Sequence, residues 1–366
     1  MENTRERKSK MTESVSEPGK KVVCQSVWKV YGPVNPEHKS QLASGNYDSK
    51  TIEQELRSEG GIIACCDVSF EVGAGEIFVI MGLSGSGKST IVRCLSRLVE
   101  PDAGEIRFDG RDLLSLPQKE LTEVRRHKMG MVFQNFGLLP HLNVFENIAF
   151  PLSLQGVSAS EQAERAQRVI DLVGLQGREN SYPRELSGGQ QQRVGIARSL
   201  TVEPELWLLD EPFSALDPLI RRQMQDEFLR LQGVLKKSIV FITHDFLEAL
   251  RIADRMAIMR DGRIIQIGTP EELVANPVDD YVRDFTREVP LMRVLSARHL
   301  IESEAVTNFS KDNLPHIDEN ASSEALIRLL AGSAEGVVVT GSDGKVHGLA
   351  TPMSVISRLS RDFQPE

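Results

Sequence analysis

The stretch Gly82-Leu83-Ser84-Gly85-Ser86-Gly87-Lys88-Ser89-Thr90 constrains this chain more than any other. It follows directly on Ile77-Phe78-Val79-Ile80-Met81, a continuous apolar run of the kind buried on both faces of a parallel sheet. A helical pattern over 90–98 comes next. Strand, glycine-rich loop and helix form the context in which G-x-x-x-x-G-K-[ST] cradles a phosphate chain. Gly82, Gly85 and Gly87 let the backbone curl so that successive N–H groups, with Ser84, Ser86 and Thr90 among them, point inward at phosphate oxygens, and the helix N-terminus adds a favourable dipole. Lys88 supplies a point charge for the β- and γ-phosphates, and the Ser89 hydroxyl suits Mg²⁺. A Gly/Ser surface loop ahead of an amphipathic helix has a similar composition but does not require the buried strand before it.

From this loop to about Asp284 the pattern alternates helix and strand, the mark of an α/β domain with a covered sheet. Further buried strands are expected at 129–133, 206–209 and 238–243. The apolar run Leu206-Trp207-Leu208-Leu209 ends in Asp210-Glu211, which delivers two carboxylates to the edge of a parallel sheet where ligands bind. Asp210 suits the Mg²⁺ shell, and Glu211 is placed to polarise an attacking water. A strand ending in solvated acids would look the same by itself; the phosphate cradle upstream favours the functional reading.

Upstream, a leader over 1–20 is expected to be disordered, followed by a short strand at 22–27 and a polar insertion over 33–60 with a single helix at 51–57. Ile62–Val72 alternates as a β pattern. After the α/β domain (21–285) a smaller unit occupies 286–366, with a strand, an Asp-Gly turn and a strand between Gly336 and Ala350, and a helix at 354–359.

The chain has 366 residues, 43 Lys+Arg against 52 Asp+Glu and a net charge of −9, so nucleic acid is not the default partner. It contains no run of about 18 apolar residues that would span a bilayer. The polar N-terminus lacks the apolar core of a signal peptide. Cys24, Cys65, Cys66 and Cys94 show neither C-x-x-C spacing nor nearby His, which disfavours metal and disulfide roles and fits a reducing cytoplasm.

One more motif distinguishes among nucleotide-binding families. Leu186-Ser187-Gly188-Gly189-Gln190 opens a helix some twenty residues before the acidic strand. With it the chain resembles the nucleotide-binding subunit of ABC transporters over about 22–285. The resemblance implies a P-loop ATPase fold with a RecA-like parallel-sheet core, an antiparallel β subdomain and a helical subdomain, using ATP and Mg²⁺. It implies a head-to-tail homodimer in which Ser187, Gly188, Gly189 and Gln190 of one copy cap the nucleotide held by Lys88 of the other. Gln134 becomes the Q-loop residue, touching Mg²⁺ and water. Asp217 of Ser214-Ala215-Leu216-Asp217 communicates across the dimer. His244 matches the switch histidine. Either Tyr31, the better match, or Trp28 stacks on adenine.

Within that family the segment from Gln134 to Val144 resembles bacterial importers, where it adjoins the membrane permease. The 33–60 insertion, the run 76–90 and the segments 213–221 and 276–282 resemble the glycine betaine/proline betaine/choline branch. This implies an ATPase on the cytoplasmic face of the bacterial inner membrane, served indirectly by a periplasmic or lipid-anchored binding protein, with no nucleic acid. The C-terminal α+β unit resembles one CBS motif, single or truncated, with a regulatory or dimerising role. An importer of another small solute (an amino acid or polyamine) and a non-transport ABC ATPase are the alternatives.

Overall fold

The computed structural model describes residues 19–45, 47–134, 137–287, 289, 291–301 and 314–359. The expected leader lies outside these residues apart from Gly19 and Lys20. The strands are β1 (Lys20–Tyr31), β2 (Ile62–Gly73), β3 (Ile77–Met81), β4 (Ala103–Phe108), β5 (Arg111–Asp112), β6 (Met129–Val132), β7 (Leu206–Asp210), β8 (Ser238–Thr243), β9 (Arg255–Arg260), β10 (Arg263–Gly268), β11 (His316–Asp318), β12 (Val337–Thr340) and β13 (Val346–Ala350).

Six strands form the central sheet in the order β10-β9-β3-β8-β7-β6. From β9 to β6 all neighbours are parallel, and β10 is an antiparallel edge. β3, β7 and β8 are buried at every position, as their unbroken apolar runs require. Their side chains alternate between two cores because successive residues of a strand face opposite sides. Ile77, Val79, Met81, Trp207, Leu209, Ile239 and Phe241 face a core shared with the helices Val144–Leu154, Gly188–Leu200 and Pro218–Leu235. Phe78, Ile80, Leu206, Leu208, Val240 and Ile242 face the opposite core, closed by the helix Lys88–Leu95 and the antiparallel sheet β2-β1-β4-β5.

Several expected elements change extent. β1 is twice the expected length because a bulge between Cys24 and Val27, with Ser26 at φ 47°, shifts its alternation midway. The insertion holds two helices, Pro36–Ser44 and Ser49–Ser58, capped by Asn35 and Asp48. Their Leu42, Ile52 and Leu56 bury Trp28 and Val30 in a separate small core. The helix expected over 90–98 starts at Lys88 and stops at Leu95, and that at 354–359 starts at Pro352.

The C-terminal unit is one β-α-β-β-α arrangement. β11 pairs parallel with β12 across the helix Ser323–Leu330, and β12 pairs antiparallel with β13 through the Asp-Gly turn. It continues the core of the larger domain through Leu295, Ala297 and Leu300, and the Ser354 hydroxyl donates to the Leu300 carbonyl at 2.8 Å.

Candidate active site

The register of the central sheet assembles the site. Met81 lies beside Thr243 and Asp210 beside Ile242. Val132 lies beside Leu209. Four neighbouring parallel strands therefore end along one edge, and the residues just beyond them are the cradle, His244, Glu211 and Gln134.

The cradle's glycines answer to space as well as to dihedral angle. A Cβ on Gly82 would stand 2.1 Å from the Met259 carbonyl oxygen, and one on Gly87 1.9 Å from that of Ala64. Gly82, Gly85 and Gly87 all have positive φ. The Ser86 hydroxyl is buried without a hydrogen-bond partner among the described residues, a polar atom left available inside the loop. Lys88, buried at the base, donates to the carbonyls of Gly82 and Leu83 at 2.8 and 2.9 Å. Burial lowers its pKa, opposed by the nearby charges of Glu211 and Asp210.

The Ser89 hydroxyl donates to Asp210 Oδ1 at 2.8 Å. Asp210 is 2% exposed, and burial raises its pKa, against the Ser89 hydrogen bond and Arg93 at 3.7 Å. A hydroxyl and a carboxylate in contact are the hard oxygen donors Mg²⁺ takes together with phosphate oxygens and water. The residues fit the ion.

Glu211 sits in the left-handed region at φ 46°, an uncommon position for a non-glycine residue and one that marks functional sites. Its Oε2 lies 3.2 Å from both Gln134 Nε2 and His244 Nδ1. The three residues expected to act on water thus converge on one carboxylate oxygen. Tyr31 keeps an exposed ring with Lys29 Nζ 5.4 Å from its centroid, whereas Trp28 is fully buried under the insertion against Tyr47.

Ser187, Gly188, Gly189, Gln190 and Asp217 are not hydrogen-bonded to the cradle among the described residues. Ser187 and Gln190 cap their own helix reciprocally. Asp217 caps the helix Pro218–Leu235.

This edge has counterparts among known proteins. The ABC transporter family matches residues 65–214. The ATP-binding protein of a trimethylamine N-oxide transport system from Pelagibacter ubique is 53% identical over 92% of this chain and 96% of its own. The chain belongs to the ABC transporter ATPase family. The glycine betaine transport ATP-binding protein of Bacillus subtilis is 49% identical over 81% of this chain and 70% of its own. Among solved structures, an ATP-binding cassette dimer in a post-hydrolysis state with ADP and Pi is 32% identical, with a TM-score of 0.57, over 68% of this chain and 98% of its own.

The structure also brings to this ABC ATPase site residues to which sequence reasoning gave no role. Arg221 donates to the carbonyls of Phe213 and Leu216 at 3.2 and 3.0 Å and lies 3.6 Å from Asp245. Asp245 follows His244 and caps the helix Phe246–Ile252. Buried Glu248, its pKa raised by burial, accepts from Gln225 at 2.9 Å. Together with Glu211, Ser214 and Thr243, the side chains of Arg221, Asp245 and Glu248 line a small cleft. The available signal was the spacing of Arg221, one helical turn after Asp217.

Proposed function

We propose that this ABC ATPase energises uptake of a small methylated amine, trimethylamine N-oxide foremost, through separate membrane subunits. The observation that carries the solute is the extent of similarity. An alignment over 92% of the chain and 96% of the trimethylamine N-oxide relative reaches into the C-terminal unit of both. Relatives for glycine betaine and choline, 43–49% identical, cover 61–72% of their own length, which supports these methylated ammonium compounds as the second reading. All share a tetrahedral nitrogen bearing methyl groups. Among the described residues no helix is long and apolar enough to cross a membrane, so passage of the solute falls to other chains.

In the site, the backbone donors of 82–90 and Lys88 bind and orient the phosphate chain. Ser89 and Asp210, with Gln134, hold Mg²⁺, which when bound neutralises charge on the phosphate oxygens. Glu211, fixed by Gln134 and His244, orients water and accepts its proton. Tyr31 offers its face to adenine. The N–H groups of Gly188 and Gly189 have no partner among the described residues, at an exposed helix N-terminus suited to an anion. This supports a head-to-tail dimer in which they reach the nucleotide of the other copy, as does the dimeric state of the solved relative. The segment around Gln134, Gly137 and Val144 then faces the permease on the cytoplasmic side, and a binding protein delivers solute outside. The C-terminal β-α-β-β-α unit is read as a single CBS-like module.

The test is co-purification with the native membrane and binding-protein partners, followed by solute-stimulated ATPase measurement. Trimethylamine N-oxide should stimulate hydrolysis; stimulation by glycine betaine or choline alone would transfer the assignment to them. Replacing Glu211 by Gln should lower turnover by about 10²-fold or more and trap an ATP-bound dimer. Near-normal turnover in that variant would overturn the reading of the site.

A further inference from the structure

A cavity of about 680 Å³ lies where the larger domain meets the C-terminal unit, away from the sheet edge that holds the cradle. Its lining comes from the helices Pro270–Ala275 and Asp280–Thr286, the turn that follows them, the helices Leu291–Val294 and Ala297–His299, and the last helix, Pro352–Leu359. The volume is within the range of small-molecule sites, about 300–1,000 Å³.

The chemistry of the lining is one-sided. Arg283, Arg287 and Arg358 face a single carboxylate, Asp284. Arg283 is paired outside the cavity with Asp280. Arg287 and Arg358 have no ion-pair or hydrogen-bond partner for their side chains among the described residues. His299 adds a donor. Its Nδ1 receives the Ser296 N–H at 3.3 Å, which places the proton of the neutral ring on Nε2. Burial, with Arg298 and then Arg358 nearby, favours that neutral ring, against the opposing charges of Glu271 and Glu272. Val274, Leu291 and Leu295 supply an apolar wall.

A chain of net charge −9 that gathers guanidinium groups around an apolar wall has built the complement of an organic anion. Guanidinium forks match phosphate oxygens in planar, bidentate fashion. A bare inorganic ion would leave most of this volume unfilled.

We infer that this cavity binds a small phosphorylated organic anion, gripped at once by Arg283 of the ATPase domain and by Arg287 and Arg358 of the C-terminal unit. Val274, Arg283 and Asp284 line it from before the boundary at 285, and Leu291, His299 and Arg358 from after it, so the site lies on the seam between the two units. Occupancy joins them, and a bound anion stabilises their mutual position. The inference does not depend on which solute is transported.

Isothermal titration of the full-length chain with glucose 6-phosphate and with inorganic pyrophosphate tests it. Glucose 6-phosphate should bind one to one, equally in the wild type and in Lys88→Ala, whose cradle is impaired. Arg358→Glu and Arg287→Glu should each weaken it by about tenfold or more, the scale expected from losing a charge-assisted contact. Arg287→Lys should recover part of the affinity and guards against misfolding as the cause, as does an unchanged basal ATPase rate in all Arg287 and Arg358 variants. Absence of binding for both probes overturns the inference. So does binding that Lys88→Ala abolishes and the arginine variants leave intact, which would locate the anion in the cradle.

Discussion

Arg221 ties the 213–217 segment to the residue after His244, and its replacement is the most informative single perturbation of this site. Its guanidinium donates to Phe213 and Leu216, the carbonyls that shape the 214–217 segment, and reaches Asp245 next to His244. Losing a hydrogen bond from a charged donor costs about 1.5–3 kcal/mol. The pair with Asp245 is worth at most about 1 kcal/mol, because both side chains are about one-third exposed. Lysine retains the charge but has no planar fork for two carbonyls, so Arg221→Lys should lose about 1.5 kcal/mol of loop positioning, and Arg221→Ala about 3 kcal/mol. If positioning is felt in the transition state, kcat falls about tenfold for lysine and about a hundredfold for alanine. ATP affinity should hold, since Arg221 does not touch the cradle. Asp245→Asn keeps a good helix cap and isolates the ion pair, so it should cost about fivefold at most in rate on the same scale. Steady-state kinetics and direct ATP binding on folded variants decide the matter. An Arg221→Ala protein with unchanged kcat, or one whose whole defect is in KM, would refute the reasoning.

Tyr31→Ala should weaken ATP binding by about 1–3 kcal/mol, the worth of a base-stacking ring, while Trp28→Phe leaves affinity unchanged; equilibrium nucleotide titration separates the two. Leu56→Ala should lower stability by about 2–5 kcal/mol in urea unfolding, because that side chain is fully buried between the insertion and β2. Hydrogen bonding from Lys21, with Lys128, holds the Glu205 carboxyl down at about 2 from an ordinary 4.5. A depressed carboxylate pKa contributes stability that is complete above the unfolded value and is lost as pH falls through the folded one. Stability should therefore decline from about pH 4.5 toward pH 2, and Glu205→Gln should flatten that decline in thermal melts; an unchanged acid limb would count against the cluster.

What was legible in the sequence is what local chemistry dictates. The cradle could be read because glycine, lysine and serine at fixed spacing follow a run that only a doubly covered strand accommodates. β3, β7 and β8 are that kind of strand, and their common edge fixes Glu211 and His244 in space once the strand order is known. The first insertion helix was missed: Pro36–Ser44 buries only Leu42, so no apolar period announces it, and its evidence in the chain is confined to its ends, the Asn35 cap with Pro36 and Glu37 behind it and Gly45 at φ 71°. β1 was read as half its length because the Ser26 bulge breaks the alternation: Val22, Cys24 and Val27 face one core, and Trp28 and Val30 face the small core under the insertion. The remaining features are juxtapositions between distant segments. Arg221 meets Asp245 across two helix starts, and Arg358 lines the same cavity as Arg287 from the far end of the C-terminal unit; periodicity carries no trace of either.

The same distinction explains how the reacting groups divide. Glu211 depends on its own chain for its entire setting: a left-handed backbone, a strand neighbour at Ile242 that accepts its N–H at 3.2 Å, and the side chains of Gln134 and His244. Such a residue is held before nucleotide arrives, and its strained φ persists because the packed strand end beneath it allows no other path. Ser187 is the opposite case. Its hydroxyl oxygen accepts the Gln190 N–H at 3.3 Å and keeps its own O–H to donate, so it can present that proton outward beside the pair of glycine amides that the cap leaves free. A cap that orders this helix start without consuming those amides prepares an anion site whose anion must come from outside the chain. On the proposed reading, the carboxylate is thus a property of one cassette, and closure over the phosphate a property of two.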